Sequence, residues 1–322
     1  MWYDVNKIFQ KGEETAMAAK KTFCILYNPL ASTGHGEEKA HKLKEILGPD
    51  SEVVFRSLIE IEDKRAFLNE LDPDVTPIIT GGDGTLSRFV NSLHGNPTRD
   101  IYYYPAGTGN DFLNDLGKTG DTEPFLLNPY ITDLPHIHFN GETHIFINGV
   151  GYGIDGYVCE EGDRVRKKTG KPINYTAAAV KGLLGAYKQT HATVTVDGQT
   201  MEFDDVWMTP TMLGRFFGGG MMCAPGQDRL NMEGTVSLMV MRCKSKLRTL
   251  LLFPSIFKGN HVKKTKIVSV YKGHEMTVRF DRPTALQIDG EVYSGVSEYT
   301  VTTARADGRG DVSERSRENA TV

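Results

Sequence analysis

At 322 residues, 39% hydrophobic and 24% charged, the chain has the composition of a soluble globular protein and the length of two ordinary domains. A formal net charge of −4 argues against a general nucleic-acid binder, and Cys24, Cys159, Cys223 and Cys243 form no Cys-x-x-Cys pair, so neither a zinc site nor a disulfide framework is indicated. The N-terminus lacks an apolar run followed by a small-residue cleavage site, and the most apolar stretch, residues 250–257, is interrupted by Pro254, so a cytoplasmic protein that neither spans a membrane nor is exported is expected.

Residues 1–21 are polar and aperiodic and read as a flexible extension. A first strand over 23–27 ends in the loop Asn28-Pro29-Leu30-Ala31-Ser32-Thr33-Gly34-His35-Gly36, and Ala40, Leu43, Ile46 and Leu47 give the next segment the apolar face of a helix. Residues 53–55 form the next strand, and Ala66, Phe67, Leu68 and Leu71 mark a helix that Asp72-Pro73-Asp74 breaks. Ile78 and Ile79 then read as a buried strand, and Leu86, Phe89, Val90 and Leu93 lie on one helical face. Between them stands Gly81-Gly82-Asp83-Gly84-Thr85, where bare backbone N–H groups and a helix N-terminus suit a phosphate. The turn lacks the Gly-Lys-Ser/Thr ending of a Walker A loop, and Asp83 beside polyphosphate calls for a bridging Mg²⁺ or for a ribose or hydroxyl partner; a plain N-cap is the alternative. A fourth strand, 101–104, ends in Pro105-Ala106-Gly107-Thr108-Gly109-Asn110-Asp111-Phe112. This β-α-β alternation predicts a mainly parallel sheet with helices on both faces and the three loops gathered at its carboxyl edge.

From about residue 131 the texture changes to short alternating strands. A hairpin is predicted around Asn140-Gly141, with strands at 192–196, 206–209, 236–241, 267–270, 276–280 and 299–303 and helices near 175–187 and 246–257. Gly149-Val150-Gly151-Tyr152-Gly153-Ile154-Asp155 and Gly218-Gly219-Gly220 mark backbone that bends or is closely approached. The loop 224–234 carries Asp228 and Glu233, either oxygen ligands for a hard cation or a solvated acidic turn. In Gln287-Ile288-Asp289-Gly290-Glu291 two carboxylates flank a glycine; on an extended segment they point the same way and suit proton transfer, and a plain Asp-Gly turn is the alternative. Residues 304–322 are polar and expected to be disordered.

Taken together, Asn28-Pro29 with Ser32 and Gly34, Gly81-Gly82-Asp83-Gly84-Thr85, Pro105 through Phe112 and Asp289-Gly290-Glu291 resemble the diacylglycerol kinase catalytic-domain family over about residues 22–303. The resemblance implies a two-domain fold of the NAD kinase/diacylglycerol kinase type: an α/β nucleotide-binding domain over 22–130 and a β-sandwich lipid-substrate domain over 131–303, its last strands there or returned to the first domain. It implies ATP and Mg²⁺, with Asn28, Ser32, Gly34, Gly81, Gly82, Asp83, Gly84, Thr85, Gly107, Thr108, Asn110 and Asp111 at the nucleotide. Glu291 would be the general base with Asp289 beside it, and Asp228 and Glu233 fall in the family's metal loop. That loop ends here in Asn231-Met232-Glu233-Gly234 and is about two residues longer than the family's pattern, and Asn114 stands near where many members place arginine.

The activity so implied is phosphoryl transfer from ATP to a lipid hydroxyl, such as that of diacylglycerol, at the inner face of a membrane. Lys244, Lys246, Arg248, Lys258, Lys263, Lys264 and Lys266 around Leu250, Leu251, Leu252, Phe253 and Phe257 suit an anionic bilayer, as could Arg164, Arg166, Lys167, Lys168 and Lys171; a core helix with snorkelling ends is the alternative. Exposed sheet edges in the second domain could pair two copies into a homodimer. The competing readings are an NAD kinase-like enzyme with a soluble acceptor and a nucleotide-binding protein without turnover.

Overall fold

The computed structural model describes residues 21–107, 110–120, 123–170 and 175–309; the extension over 1–20, Thr108, Lys171 and the tail beyond 309 lie outside the described residues. β1 (Thr22–Tyr27) leads through α1 (Ala31–Gly34) and α2 (Gly36–Leu47) to β2 (Glu52–Ser57), and α3 (Lys64–Glu70) to β3 (Val75–Gly81). Then come α4 (Asp83–Ser92), β4 (Tyr102–Pro105), α5 (Asp111–Asp115), β5 (Phe125–Leu126) and α6 (Asn128–Ile131). The sheet order is β2-β1-β3-β4-β5, parallel except for β5. Because chain order reverses between β1 and β3, the loops that follow them lie side by side at the carboxyl edge, the usual ligand position in such sheets.

Strand alternation sorts the core onto two faces. Ile25 and Ile78 pack with Ala40 and Leu43 of α2, while Cys24, Leu26 and Ile79 pack with Leu86, Phe89 and Val90 of α4. Ile46, read from the sequence as part of the α2 face, is instead 49% exposed, since the buried stripe is satisfied by Ala40 and Leu43.

The second domain opens with the expected hairpin. β6 (His136–Phe139) and β7 (Glu142–Ile145) are joined by Asn140 and Gly141 at φ 49° and 80°, the left-handed pair that a tight hairpin requires. β8 (Gly149–Tyr152) follows, then α7 (Ile154–Thr169) and α8 (Tyr175–Lys181), which runs into a π-turn over Gly182–Ala186. β9 (Thr190–Val196), β10 (Gln199–Met208), β11 (Thr211–Met212), β12 (Phe216–Phe217), β13 (Met221–Met222) and β14 (Val236–Arg242) precede α9 (Lys246–Leu252). β15 (Val268–Gly273), β16 (Glu275–Ile288) and β17 (Glu291–Thr302) complete the fold.

β16 pairs with β9 over 276–280 and with β8 over 286–288, and the register shift between these stretches bends it from one layer to the other. Side chains such as Val194, Leu238, Val278 and Val301 fill the interior of the sandwich. Its outer face, with Trp207, Met239 and Met241, lies under α7, α8 and α9. The last strands thus belong to the second sheet. The predicted disorder begins too early: residues 304–309 form a turn, with Asp307 N–H donating to Thr303 O and Arg309 N–H to Ala304 O.

The 16-residue α7 is absent from the sequence reading. Glycines at its start and charged residues along it conceal a 3.6-residue period, although Gly170, at φ 69°, ends it after Arg166, Lys167 and Lys168 in the way a C-terminal glycine ends many helices. Its first turn presses on the sheet at Gly156, where an added Cβ would lie 2.0 Å from Ala285 O. Gly156→Ala is therefore expected to destabilise the protein by about 1–3 kcal/mol, read as a lower urea midpoint at constant slope; an unchanged midpoint would mean that α7 is not held so closely.

Candidate active site

A cleft of about 620 Å³ lies between the two domains. One end is lined by Asn28, Gly82, Asp83, Gly84, Thr85, Gly107 and Asp111, and the other by Val158, Ala179, Met208, Phe217, Phe253 and Phe257. A polar cradle of loop backbone therefore opens directly into an apolar chamber.

The cradle forms because its loops touch. An added Cβ at Gly107 would lie 2.3 Å from Gly82 Cα, so only glycine permits this approach. Ala106 N–H and the Tyr103 hydroxyl both donate to Gly81 O at 2.8 Å, and Asn28 Oδ1 accepts Leu30 N–H at 3.0 Å to fold the first loop. Gly82, at the head of α4, carries no side-chain cap, which leaves that helix start to backbone alone.

Asp83 does not cap its own helix. Its carboxylate accepts the N–H groups of Asp111 at 2.7 Å and Phe112 at 3.2 Å, fixing the start of α5. Asp111 in turn accepts from Gly219 N–H at 2.8 Å and Gly220 N–H at 2.7 Å, across to the glycine turn between β12 and β13. Asp115, one turn on, holds Arg215 at 2.9 Å and the buried Arg229 at 2.5 Å; Arg229 also donates to Ile147 O and Asn148 Oδ1 and stacks on Phe112. Two acids of one short segment, Asp111 and Asp115, thus join the domains, and Asp83 holds that segment in place. Burial, with Asp111 nearby, raises the Asp83 carboxyl to about 7, and burial also raises Asp111.

Asp289 and Glu291 do not point the same way. Asp289 and Gly290, at φ 47° and 93°, form the tight turn between β16 and β17, and the Asp-Gly turn alternative is what folds. Asp289 turns inward and accepts N–H from Ile147 (2.7 Å), Asn148 (2.9 Å) and Gly149 (3.1 Å) and the Ser87 hydroxyl (3.1 Å). With four donors on two oxygens it orders the approach to β8, and although those donors oppose it, burial raises its carboxyl above the ordinary range. Glu291 points outward and pairs with Arg88 at 2.6 Å, and Arg88, not Glu291, lines the cleft.

Asp228 and Glu233 form no metal cluster with other His, Cys, Asp or Glu among the described residues. The Asn231 side chain closes their loop instead: Nδ2 donates to Asp228 O and Thr235 O, and Oδ1 accepts Thr235 N–H. An amide ties together here what the sequence suggested a cation might. Of the other expected nucleotide residues, Gly34, Gly81 and Asn110 do not line the cleft, and the Ser32 side chain lies outside the described residues.

Sequence reasoning assigned no role to Asp155. Gly151 and Gly153 let the chain turn sharply into α7: an added Cβ at Gly151 would lie 2.1 Å from Asp155 Oδ2, and one at Gly153 2.4 Å from Trp207 O. That turn buries Asp155 in the cleft wall, where neither carboxylate oxygen has a hydrogen-bond partner. Burial raises its carboxyl to about 7, and the amides of its own helical turn only partly offset this. The legible signal was an acid at a helix start, in a helix whose period was hidden.

Residues 22–129 match the model of the diacylglycerol kinase catalytic domain, and residues 148–304 that of the YegS C-terminal NAD kinase beta sandwich-like domain. The chain is 27% identical over 192 residues to a diacylglycerol kinase of Mycobacterium tuberculosis, covering 58% of this chain and 60% of that one. It is 24% identical over 237 residues to the Bacillus subtilis protein YtlR, provisionally named a lipid kinase, covering 67% and 73%. A crystal structure from Bacillus anthracis str. Sterne, of a protein provisionally named a diacylglycerol kinase, shares the fold with a TM-score of 0.60 at 18% identity, over 91% of this chain and 95% of that one.

A buried acid raised from 3.8 to about 7 binds its proton more tightly folded than unfolded, so its contribution to stability is full below about pH 4 and is lost as pH rises to about 7. Asp155→Asn removes that slope. The difference in unfolding free energy between variant and parent is expected to move in the variant's favour by up to about 4 kcal/mol between pH 4 and pH 8. Urea titrations across this range check it, and a pH-independent difference would place Asp155 in water.

Proposed function

The chain belongs to the diacylglycerol kinase catalytic-domain family, and from that premise we propose that it transfers the γ-phosphoryl group of MgATP to the hydroxyl of a lipid such as diacylglycerol. The observation that carries this reading is the single cleft in which a glycine-loop phosphate cradle opens into an apolar chamber, with an unpartnered carboxylate in its wall. A soluble dinucleotide acceptor would not need that chamber. The cradle fits ATP: the backbone of 82–84 and Gly107 would take the phosphates. The acids beside it, Asp83, Asp111 and Asp289, already have their oxygens on N–H donors, so they offer no ready cage for a resident cation, and Mg²⁺ is read as part of the nucleotide substrate.

Phosphoryl transfer asks the protein mainly to align donor and acceptor and to accept a proton late, as the alcohol bonds to phosphorus. Asp155 suits that last task, because its oxygens are free and a site with a raised carboxyl is a better base near neutral pH. Glu291, the base that the resemblance implies, would first have to leave Arg88. The apolar chamber receives the acyl portion, with Phe253 and Phe257 at its wall.

Approach to a bilayer is part of the proposal. α9 buries Thr249 and Leu252 and leaves Leu247 and Leu251 66% and 73% exposed, with Leu184 at 63% on the adjoining π-turn. The basic residues expected to favour an anionic surface flank these side chains in sequence, and no helix among the described residues is long and apolar enough to cross a membrane.

Transfer from labelled MgATP to mixed-micelle lipids, with NAD and water as rival acceptors, tests the function. Labelled lipid supports it, whereas label on NAD alone, or ATP binding without transfer, overturns it. In the same assay Asp155→Asn is expected to lower kcat about 100-fold or more with the KM for ATP within about twofold, while Glu291→Gln costs far less. The reverse ranking would return the base role to Glu291.

A further inference from the structure

Well away from the cleft, about ten residues along β17 from the Asp289-Gly290 turn, three side chains converge that phosphoryl transfer does not use. His136 and His138 stand two apart on β6 and so share one face of the sheet, opposite Thr302 and Thr300 of β17. The turn after β17 brings Asp307 back over them. His136 Nδ1 and Asp307 Oδ2 are 3.5 Å apart, and one ligand atom from each of the three residues lies within 4.8 Å of the others.

We propose that His136, His138 and Asp307 form a binding site for a divalent transition-metal cation of the Zn²⁺ class. Tetrahedral Zn²⁺ with bonds of about 2.1 Å holds its ligand atoms roughly 3.4 Å apart, a spacing that the His136–Asp307 pair already has. Two imidazoles and one carboxylate are a borderline donor set that selects Zn²⁺-like ions over Mg²⁺, which prefers oxygen. The outer contacts are also in place. The Thr143 hydroxyl is 2.9 Å from His138 Nδ1 and can accept its N–H, so Nε2 is the ligand atom and must give up the Thr302 hydroxyl that lies 3.2 Å from it when a cation binds.

Arg309 is the competitor. Its Nε and Nη2 donate to the same Asp307 oxygen, at 3.0 and 2.6 Å, so an arriving cation must displace the guanidinium or take the other oxygen. The site is therefore a staple between β6 and the turn over 304–309, in which a bound cation replaces an internal one. Its occupancy would set how firmly that turn is held, not the rate of transfer.

Titration of the untagged full chain with Zn²⁺ at pH 7.5, followed by calorimetry and by thermal melting, tests this, with Mg²⁺ as the comparison ion. One equivalent is expected to bind and raise Tm; His136→Ala and His138→Ala should each weaken binding by about tenfold or more, and Arg309→Ala should tighten it severalfold. His138→Gln, which can keep a hydrogen bond to Thr143, serves if the alanine variant melts early without metal, and it too should lose binding. Unchanged Zn²⁺ affinity and stoichiometry in the His136→Ala/His138→Ala double variant, or no more heat and no larger Tm shift with Zn²⁺ than with Mg²⁺, would overturn the site.

Discussion

The arrangement on which the rest depends is a buried carboxylate answered by backbone N–H groups from a neighbouring loop, used three times at the domain junction. Asp83 holds the start of α5, Asp111 holds the glycine turn 219–220, and Asp289 holds the chain from Ile147 to Gly149. Each bond is charge-assisted and shielded from water, so it is stronger than a neutral one, and an unanswered partner would be correspondingly costly. Loops that would otherwise be free in solution are fixed relative to one another to within hydrogen-bond tolerance. Asp115 adds a side-chain version of the same device with Arg215 and Arg229.

This economy explains the polarity of the cleft. Acids needed to position loops are neutralised by amides before any ligand arrives, so the cradle presents glycine backbone and a helix start to a polyanion instead of bare negative charge. Asp155 is the exception, since neither of its carboxylate oxygens has a hydrogen-bond partner. A charge without a partner in a dry wall is destabilising, and such sites persist in proteins chiefly where function uses them.

Much of the first domain was legible because its signals are local. Ile78 and Ile79 before Gly81-Gly82-Asp83-Gly84, and Leu86, Phe89 and Val90 after it, give a buried strand, a bare turn and a helix face in one short stretch. The hairpin at Asn140-Gly141 was legible for a similar reason, as left-handed backbone selects those residues. α7 was not, because its packing depends on Gly156 meeting Ala285, which lies far along the chain, and its charged face masks the period. The Asp289-Gly290-Glu291 segment was ambiguous between a strand and a turn, and only the pairing of Ile288 with Glu291 resolves it.

By itself the sequence determined the alternation of strands and helices in the first domain, the glycine positions where backbone must come close, and the family that these motifs resemble. Those properties follow from residues near one another in the chain. Tertiary structure alone decided which acids are occupied and which is free. The sequence presents Asp83, Asp111, Asp155, Asp289 and Glu291 as equals, but a carboxylate's chemistry is set by the donors that reach it and the water excluded from it. Both are contributed by segments up to two hundred residues away, as when Ser87 meets Asp289 and Arg88 meets Glu291.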